Sequence, residues 1–493
     1  MAARNIMASL LALAAATLLG SCSGDEQIGP VVVSVIGTDR ELAEPLKTVM
    51  APASKLILEA TAQGLVAFDE SGQIVPALAQ RWIVEDAGRS YIFRLRRARW
   101  PDGAHITATE VARLLEARIK ANLALDPLGD LDVVQEVVPM TGEVIEIRLA
   151  AARPYFLQML AQPQMAVTRA DGGTGPYRKQ KRAHALFLRP VDDPLAHEGE
   201  ETPEIPAWKN RVLRAERAAK AISRFRLGLS QLVLGGRFTD LPLLSKSGVD
   251  NAAVHIDPVQ GLFGLTVTGK GAFLNDDPIR DAISAAIERE RLSSYFAIGG
   301  WGVTDTLMPQ QLDLPRAPTT PRWHGLSIED RRAFATNAVN QWRAANGAVP
   351  VLRVALPGGA GARILFGLIA SDLRRIGVPA RQVALDDEDA DLRLIDEVAA
   401  YDSAAWYLGR LSCARKVHCS EAADAKLSEA AIAPTEDGRF ALLADAEALV
   451  VSHAGYIPLA APVRWSLAAR LINGFTSSPR ARHPLNHLFR ATN

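Results

Sequence analysis

The chain has 493 residues, which predicts roughly two or three domains and a size that needs no disulfide or metal in order to fold. Apolar residues make up 48% and charged residues 22%, which excludes a disordered chain, a collagen-like chain and a membrane protein with many spans. Lys plus Arg and Asp plus Glu both total 55, so there is no net positive charge to hold a nucleic acid, and we expect no nucleic acid partner.

The N-terminus has the features of an export signal. Arg4 precedes an uncharged, mostly apolar run over 6–19, which is shorter than the ~18 residues that cross a bilayer. Leu19-Gly20-Ser21-Cys22 is similar to a bacterial lipobox, in which the chain is cut before a cysteine that is then acylated. We predict a lipoprotein signal peptide over 1–21, lipidation at Cys22, a tether over 22–30 and a cell-envelope protein anchored to a membrane without spanning it. The alternative is a plain signal peptide with an incidental cysteine.

Strands and helices alternate in the first part of the mature chain. β-Branched residues over 31–36 predict the first strand, and a helix is predicted over 56–65. Strict alternation over 91–96 predicts a half-buried strand. Thr107 and Glu110 have the spacing of a capping box, which predicts that a helix follows them.

The α/β pattern continues towards the C-terminus. The segment 178–216 is rich in charge and proline, and we interpret it as an insertion. The predicted elements beyond it are a strand over 263–267, a helix after Asp277 and Pro278, a strand over 351–356, a helix over 362–376, a strand near Val383 and a short strand over 456–459. Strands that alternate with helices predict an α/β fold.

A glycine loop between a predicted strand and helix has the context of a dinucleotide fingerprint. It reads Gly358-Gly359-Ala360-Gly361-Ala362-Arg363-Ile364. Pro357 interrupts the turn, Ile364 replaces the last glycine, and the leader sends the protein away from the cytoplasmic cofactor pool. A flexible connection is therefore favoured, and no cofactor is predicted.

Two clusters could suggest a metal site. The acidic run over 386–391 lacks the glycine and the final glutamate of an EF-hand loop, which favours a solvated loop. Cys413, His418 and Cys419 could supply three ligands, but their short spacing in an oxidising compartment favours a disulfide between the cysteines. No metal site is expected. No serine elbow, His-Glu-x-x-His helix or Ser-x-x-Lys set occurs, so no catalytic residue is predicted.

The segment 63–112 carries a specific resemblance. It reads QGLVAFDESGQIVPALAQRWIVEDAGRSYIFRLRRARWPDGAHITATEVA and resembles family 5 of the bacterial extracytoplasmic solute-binding proteins, the oligopeptide, dipeptide and nickel class. Further matches are GTGPYR over 173–178, Pro278 to Ala282 with Ala286 to Arg289, and Ile376 to Val378. The resemblance implies the two-lobed periplasmic-binding-protein fold, class II-like, with an extra subdomain in the first lobe. It implies the following division: lobe I over 31–264, lobe II over 265–460, a return to lobe I over 461–493, and a two-strand hinge near 263–267 and 457–463.

The resemblance also implies where a ligand would lie. Peptide-binding relatives hold the ligand backbone like an added strand. The corresponding residues here are Met50 and Ser54, and then Trp406, Tyr407, Leu408, Gly409 and Arg410. Relatives place an aspartate after the tryptophan to neutralise the peptide ammonium, whereas no acid occurs over 407–412 in this chain. Arg410 could instead meet an anionic ligand, or be a surface residue. Cys413 and Cys419 resemble paired cysteines that some relatives carry.

The function that the resemblance implies is that of a monomeric receptor that performs no chemistry. It would deliver a peptide or other small-molecule ligand to the ABC permease complex of an import system. A scaffold or sensory protein that kept the fold but lost import is the alternative, suggested by the missing acid and by the insertion. An exported enzyme is less favoured, because no catalytic constellation is found.

Overall fold

The computed structural model describes residues 29–47, 51–125, 130–191, 205–299, 301–310 and 312–490. The strands are β1 (Val31–Ile36), β2 (Val66–Phe68), β3 (Ile74–Pro76), β4 (Ala79–Glu85), β5 (Ser90–Leu95), β6 (Val134–Thr141), β7 (Val144–Leu149), β8 (Thr168–Arg169), β9 (Gly172–Gly173), β10 (Tyr177–Arg182), β11 (Ala185–Pro190), β12 (Arg211–Glu216), β13 (Leu232–Arg237), β14 (Val254–Ile256), β15 (Gly261–Val267), β16 (Leu352–Leu356), β17 (Ala380–Ala384), β18 (Leu392–Val398), β19 (Tyr456–Ala460), β20 (Arg464–Ala468), β21 (Ile472–Asn473) and β22 (Phe489–Arg490). The helices are α1 (Asp39–Ala43), α2 (Pro52–Thr61), α3 (Ala108–Leu125), α4 (Phe156–Leu160), α5 (Ala218–Arg226), α6 (Leu241–Ser245), α7 (Ala272–Asn275), α8 (Asp277–Ala286), α9 (Glu290–Phe296), α10 (Ile328–Asn346), α11 (Ala360–Arg375), α12 (Ala404–Gly409), α13 (Glu421–Ala431) and α14 (Glu436–His453). Within the described ranges, no helix is both long and apolar enough to cross a membrane.

The larger sheet has seven strands in the order β10-β11-β12-β1-β13-β20-β14. β1 runs parallel to both of its neighbours, β12 and β13. Its residues Val31, Val33 and Val35 are buried and pack with Leu56 and Ile57 of α2. A β-branched strand covered by a helix is typical of the parallel part of an α/β sheet.

The smaller sheet has five strands in the order β17-β16-β18-β15-β19. β16 is parallel to β17 and β18, whereas β15 is antiparallel to β18 and β19. Ile279 and Ile283 of α8 and Leu365 and Ile369 of α11 belong to the hydrophobic core of this part of the molecule. The apolar stripe of each helix is thereby removed from water.

A separate four-stranded antiparallel sheet, β4-β5-β7-β6, lies within the part of the chain that precedes β10. Phe93, Ile145 and Ile147 form its buried face, and Val111 and Leu115 of α3 share the same hydrophobic cluster. That cluster continues into residues of α12, α13 and α14, so the small sheet packs towards helices that follow β18.

The chain passes between the seven- and five-stranded sheets at two places. It leaves the larger sheet at the end of β14, enters the smaller one at β15, and returns between β19 and β20. The crossing segments are 257–260 and 461–463. After the return, Arg211 holds the chain on the larger sheet, because it donates to the carbonyl oxygens of Leu485 at 3.0 Å and Leu488 at 2.6 Å.

Most of the predicted elements are confirmed. The predicted strand over 31–36 matches β1, the strand over 91–96 is observed as Ser90–Leu95, and the helix over 362–376 is observed as Ala360–Arg375. The helix predicted over 56–65 begins earlier, at Pro52, and ends at Thr61. Proline is favoured in the first turn of a helix, because its missing N–H is not needed there.

The interpretation of 178–216 as an insertion is wrong for its described residues. β10 and β11 form one edge of the seven-stranded sheet, and β12 pairs directly with β1. The charged run in β10 is an edge strand whose side chains are mostly exposed, so it lacks the apolar alternation that identifies a half-buried strand. Residues 192–204 lie outside the described part of the chain.

Candidate functional site

Three parallel strands of the seven-stranded sheet end at one edge. They are β12, β1 and β13, which end at Glu216, Ile36 and Arg237. In open α/β sheets, ligands bind beyond the carboxyl ends of the strands. Both crossing segments meet this edge, because Arg464 begins β20 opposite Arg237, and the amide of Asp257 donates to the carbonyl of Arg464 at 3.0 Å. We take this edge, which faces the five-stranded sheet, as the candidate site.

Two cationic side chains converge on this edge from different elements. Arg237 is the last residue of β13. A Cβ atom on Gly235 would lie 3.0 Å from the Cβ of Pro52, so the first turn of α2 packs directly on β13. Lys55 follows Pro52 by one helical turn on the same face of α2. The packing of α2 on β13 therefore brings Lys55 close to Arg237.

Lys55 lies among charged groups and is half-buried, and we call the surroundings of its side chain the crevice. Burial lowers the pKa of Lys55 to about 8, with further lowering by the positive charges of Arg482, Arg464 and Arg237. Glu59 acts in the opposite direction, but it is the smallest of these influences. The crevice is thus unfavourable to a further positive charge.

Two of the surrounding arginines are paired. Arg464 forms an ion pair with Asp396 at 2.7 Å and donates to the carbonyl of the same residue at 3.0 Å. Arg482 forms an ion pair with Glu59 at 2.7 Å. All four side chains are largely buried. Buried ion pairs of this kind need nearly ideal geometry to offset the loss of hydration.

Lys55 and Arg237 are different, since neither side chain has a hydrogen bond or an ion pair with any residue that the structure describes. Arg237 is deeply placed, and burial lowers its pKa, with Arg464 adding repulsion. Asp396, Asp240 and Glu41 favour the charged form of Arg237 through space, but none of them forms an ion pair with it. Burial raises the pKa of Asp240, which weakens it as a counter-charge.

We call the space between the candidate edge and the part of the molecule that holds the five-stranded sheet the cleft. Its opposite wall is the loop between β18 and α12, residues 399–402. Tyr401 stacks on Tyr155 with ring centroids 4.2 Å apart and planes 4° from parallel. The backbone N–H of Asp402 donates to Oε1 of Gln158 at 2.9 Å. Tyr155 and Gln158 precede β10 in the chain, so these contacts join the two sheet-bearing parts across the cleft.

Arg480, from the returning chain, holds the same loop. It donates to the carbonyl of Ala399 at 3.1 Å and forms an ion pair with Asp402. Gln162 donates to the carbonyl of Ala400. The structure is therefore a closed form, in which the loop 399–402 is bound by side chains on the other side of the cleft.

Most of the predicted ligand-binding segment lies in helix α12. Trp406, Tyr407 and Leu408 are buried in this helix, and Gly409 ends it. Trp406 Nε1 and Tyr407 Oη are buried without a hydrogen-bond partner among the described residues. Because Tyr407 is buried beside Asp402, its pKa is raised. The peptide groups of 399–402 precede the helix, and several are already bonded within the protein: the N–H of Ala399 donates to the carbonyl of Gln260, and the N–H of Asp402 donates to Gln158.

The remaining predicted residues have separate environments. Ser54 is buried and donates to the carbonyl of Glu41 at 3.0 Å. Arg410 forms an ion pair with Glu397 at 3.1 Å and lies over the ring of Trp406. Met50 and the predicted lipidation residue Cys22 lie outside the described residues.

Cys413 and Cys419 are joined by a disulfide with their Cα atoms 5.0 Å apart. This bond follows α12 directly and closes a loop of a few residues next to the candidate segment. Within the described ranges, no group of three or more His, Cys, Asp or Glu side chains is arranged to hold a metal ion.

The glycine loop has a packing role beside the site. A Cβ atom on Gly361 would collide with the carbonyl oxygen of Phe238, and one on Gly359 would lie 3.0 Å from the side chain of Thr239. Gly359 also has a φ of +131°, which strains any other residue. The glycines let α11 approach the residues that follow Arg237 in the chain.

Several site residues were not predicted from the sequence, namely Lys55, Tyr155, Arg237, Tyr401, Arg464 and Arg480. The available signals were weak. Arg237 ends an apolar strand after two glycines, and Tyr401 with Asp402 separates a predicted strand from Trp406. Lysine and arginine are ordinarily surface residues, so the burial of these cations depends on tertiary packing.

A family model described as bacterial extracellular solute-binding proteins, family 5 middle, matches residues 73–409. Among curated proteins, the chain is 31% identical over 147 residues to a probable deoxycholate-binding periplasmic protein of Escherichia coli, YgiS, covering 26% of this chain and 27% of that one. It is 22% identical over 364 residues to the periplasmic oligopeptide-binding protein OppA of E. coli, covering 67% of this chain and 65% of OppA. The matches span less than two thirds of these relatives.

Solved structures share the fold over most of the chain. The murein tripeptide binding protein MppA of E. coli aligns with a TM-score of 0.76 at 18% identity, covering 94% of this chain and 99% of that one. Haemophilus influenzae OppA, in complex with a peptide, aligns with a TM-score of 0.75 at 13% identity and covers 94% and 99%. The architecture is thus the two-lobed α/β fold of periplasmic binding proteins.

The unpaired charge of Lys55 gives a stability prediction. We expect Lys55→Met to stabilise the refolded, ligand-free protein at pH 7 by about 1–3 kcal/mol, because a buried charge without a partner is removed. The native pKa near 8 lies below that of the unfolded chain, so wild-type stability rises between about pH 8 and pH 10.4, and the advantage of the variant shrinks over that window. Urea unfolding at several pH values measures both effects.

Lys270→Met is the matched control, because Lys270 is exposed and should show neither effect. A loss of stability in Lys55→Met at pH 7, or the same pH dependence as wild type, would contradict this account of the crevice.

The contacts of Arg480 give a prediction about closure. Arg480→Met removes both bonds to the loop 399–402, which should shift the equilibrium towards an open form by about 1–3 kcal/mol. Small-angle X-ray scattering of the ligand-free protein should show a larger radius of gyration for this variant. Arg470→Met is the control, since Arg470 is exposed and pairs with Asp250 away from the cleft. Equal radii for all three proteins would contradict a role of Arg480 in closure.

Proposed function

The chain belongs to family 5 of the bacterial extracellular solute-binding proteins, and from this we propose that it is the receptor of an ABC import system. In this proposal it captures a peptide or peptide-like small solute between two lobes and performs no chemistry of its own. The observation that carries the proposal is the arrangement of the two sheets, which are joined by two crossings at the edge where the cleft lies. Closure about such a pair of segments is a hinge motion.

The proposed lobes follow the two sheets. Lobe I contains the seven-stranded sheet and carries the four-stranded sheet as its extra subdomain, and lobe II contains the five-stranded sheet. We place the lobe boundaries at the crossings 257–260 and 461–463. The first lies a few residues before the boundary at 264 that the sequence predicted, and the second lies directly after the predicted boundary at 460. The final part of the chain then belongs to lobe I, in agreement with the contacts of Arg211.

The names of relatives support a small-solute ligand but not one chemical identity. The names of the matched proteins mention deoxycholate, oligopeptides and a murein tripeptide. A cleft that takes a peptide needs groups to bind backbone amides. In this proposal the carbonyls of Ala399 and Ala400 accept from the ligand after Arg480 and Gln162 have released them. In this proposal, the side chains that hold the closed form are exchanged for the ligand.

A second candidate function is favoured by one specific observation. The loop 399–402 is already bound across the cleft by Tyr155, Gln158 and Arg480. A scaffold or sensory protein that has lost import could be held permanently closed by such contacts. The two candidates differ in whether a solute binds in the cleft.

A screen of small solutes by thermal unfolding tests whether a solute binds in the cleft. The protein is unfolded, dialysed and refolded to remove any retained solute, and its melting temperature is measured with di- to pentapeptides, bile acids and other small solutes. A receptor should be stabilised by at least one of them, by about 2.7 kcal/mol at a concentration of 100 Kd. Melting temperatures that no solute changes would favour the scaffold.

The proposed location is the periplasmic side of the cell envelope, with a lipid anchor at Cys22 and a permease complex as partner. The support is the lipobox-like segment Leu19-Gly20-Ser21-Cys22. In this account the protein is a monomer, since it needs only one permease and one ligand.

The anchor is tested by Cys22→Ala in cells. Without an acyl chain, the protein should move from the membrane pellet to the soluble periplasmic fraction, because acyl chains contribute about 0.8 kcal/mol per buried methylene. The double variant Cys413→Ala with Cys419→Ala keeps Cys22 and should stay in the membrane. Retention of Cys22→Ala in the pellet after a high-salt wash would contradict lipid attachment at this residue.

A further inference from the structure

We propose that the ligand of the cleft carries an anionic group, a carboxylate or a phosphate, and that Lys55 and Arg237 bind it. This inference rests on the proposed function, because it names the chemical class of the captured solute. It differs from the expectation drawn for Arg410, which the structure places in an ion pair with Glu397.

The geometry brings two donors of different shape to one place. Arg237 ends β13 at the carboxyl edge of the sheet, and Lys55 projects from the first turn of α2, which packs on Gly235. A guanidinium binds a carboxylate or phosphate through two parallel hydrogen bonds, and an ammonium supplies a further charge from another direction. Together they match an oxyanion better than they match a neutral amide.

The charges around the pair compensate it only from a distance, because none of the neighbouring carboxylates that the structure describes forms an ion pair with Lys55 or Arg237. Arg464 and Arg482 are each paired with a carboxylate, Asp396 from β18 and Glu59 from α2. The acids that remain are Glu41 of α1 and Asp240, which follows β13. Glu41 Oε1 accepts from the hydroxyl of Thr38 at 3.0 Å, and Asp240 accepts from the hydroxyl of Thr239 at 3.2 Å. Neither forms an ion pair with Lys55 or Arg237 in the described structure.

An unpaired buried cation is costly unless a counter-charge arrives, and a second cation in its neighbourhood adds repulsion. Lys55 and Arg237 both keep part of their surface in contact with solvent. Binding would remove the repulsion between the cations and raise the pKa of Lys55 from about 8. The same two residues lie next to Arg464, which begins the strand after the second crossing, so the anion would occupy the hinge end of the cleft.

The test uses the refolded mature chain and calorimetric titration at pH 7 with four probes. These are inorganic phosphate, glutarate, trialanine and trialanine amide, so that a free oxyanion, a dicarboxylate and a peptide carboxylate are compared with a peptide that lacks one. The variants are Lys55→Met, Arg237→Met and Arg237→Lys, and the control is Arg470→Met.

We expect at least one anionic probe to bind, and to bind about tenfold or more weakly to Lys55→Met and to Arg237→Met. Arg237→Lys should recover part of the loss, and Arg470→Met should match wild type. Affinity for the anion should also fall above pH 8 in wild type, as Lys55 loses its proton, but not in Lys55→Met. Circular dichroism of each variant verifies that it is folded.

Three results would overturn the proposal: no binding of any anionic probe, equal affinity for trialanine and its amide with no anion preference, or anion binding that both methionine variants retain. These results are separable from failure of the receptor itself. If neutral solutes bind and Lys55→Met has no effect, the receptor stands and the anion site is wrong. If phosphate binds through both cations while no organic solute does, the anion site stands and the receptor is wrong.

Discussion

The constraint on which the rest of the structure depends is that the chain joins its two main sheets at only two places, the segments 257–260 and 461–463, within the described residues. Both lie at the carboxyl edge of the parallel strands. The ion pair of Arg464 with Asp396 ties the sheets together there, because Arg464 begins β20 and Asp396 belongs to β18. A ligand bound at this edge therefore lies beside the joint between the two sheets. A movement of one sheet relative to the other would change the residues that surround the ligand.

The cleft has two chemically different ends. The hinge end holds the unpaired cations Lys55 and Arg237, whereas the outer end is bridged by the stacked rings of Tyr155 and Tyr401 and by Arg480. Contacts at the outer end stabilise the closed form without a ligand. A ligand can shift such an equilibrium only through its differential affinity for the two forms. In the proposed account, an anion bound to Lys55 and Arg237 of lobe I supplies that difference through the contacts that it makes with lobe II on closure.

Local sequence patterns predicted those strands and helices in which the spacing of the apolar residues matches the face that is buried. β1 is β-branched and lies at the centre of its sheet, and α8 begins at the Asp277-Pro278 start signal and carries one apolar stripe, so both were identified. The strand β10 was missed because an edge strand needs no apolar alternation. The family resemblance, which depends on many residues in order, indicated the architecture and the cleft between two lobes.

The site itself was only partly predictable. Trp406 and Tyr407 were predicted to bind ligand from their place in the family pattern, and this stays a prediction; the sequence did not show that both residues are buried in a helix that follows the loop 399–402. Lys55 looks like an ordinary helical lysine, and only the packing of α2 on Gly235 makes it part of a crevice. Long-range packing of this kind is not encoded in the spacing of nearby residues.

Native mass spectrometry of the protein as purified from its own envelope tests the central claim most directly, because a closed cleft retains its solute. The account predicts a species heavier than the bare chain by the mass of one small acidic solute, which is released on collisional activation and absent from a variant that lacks both Lys55 and Arg237. A wild-type protein that carries only the mass of the bare chain, and that gains none when incubated with envelope extract, would contradict the account.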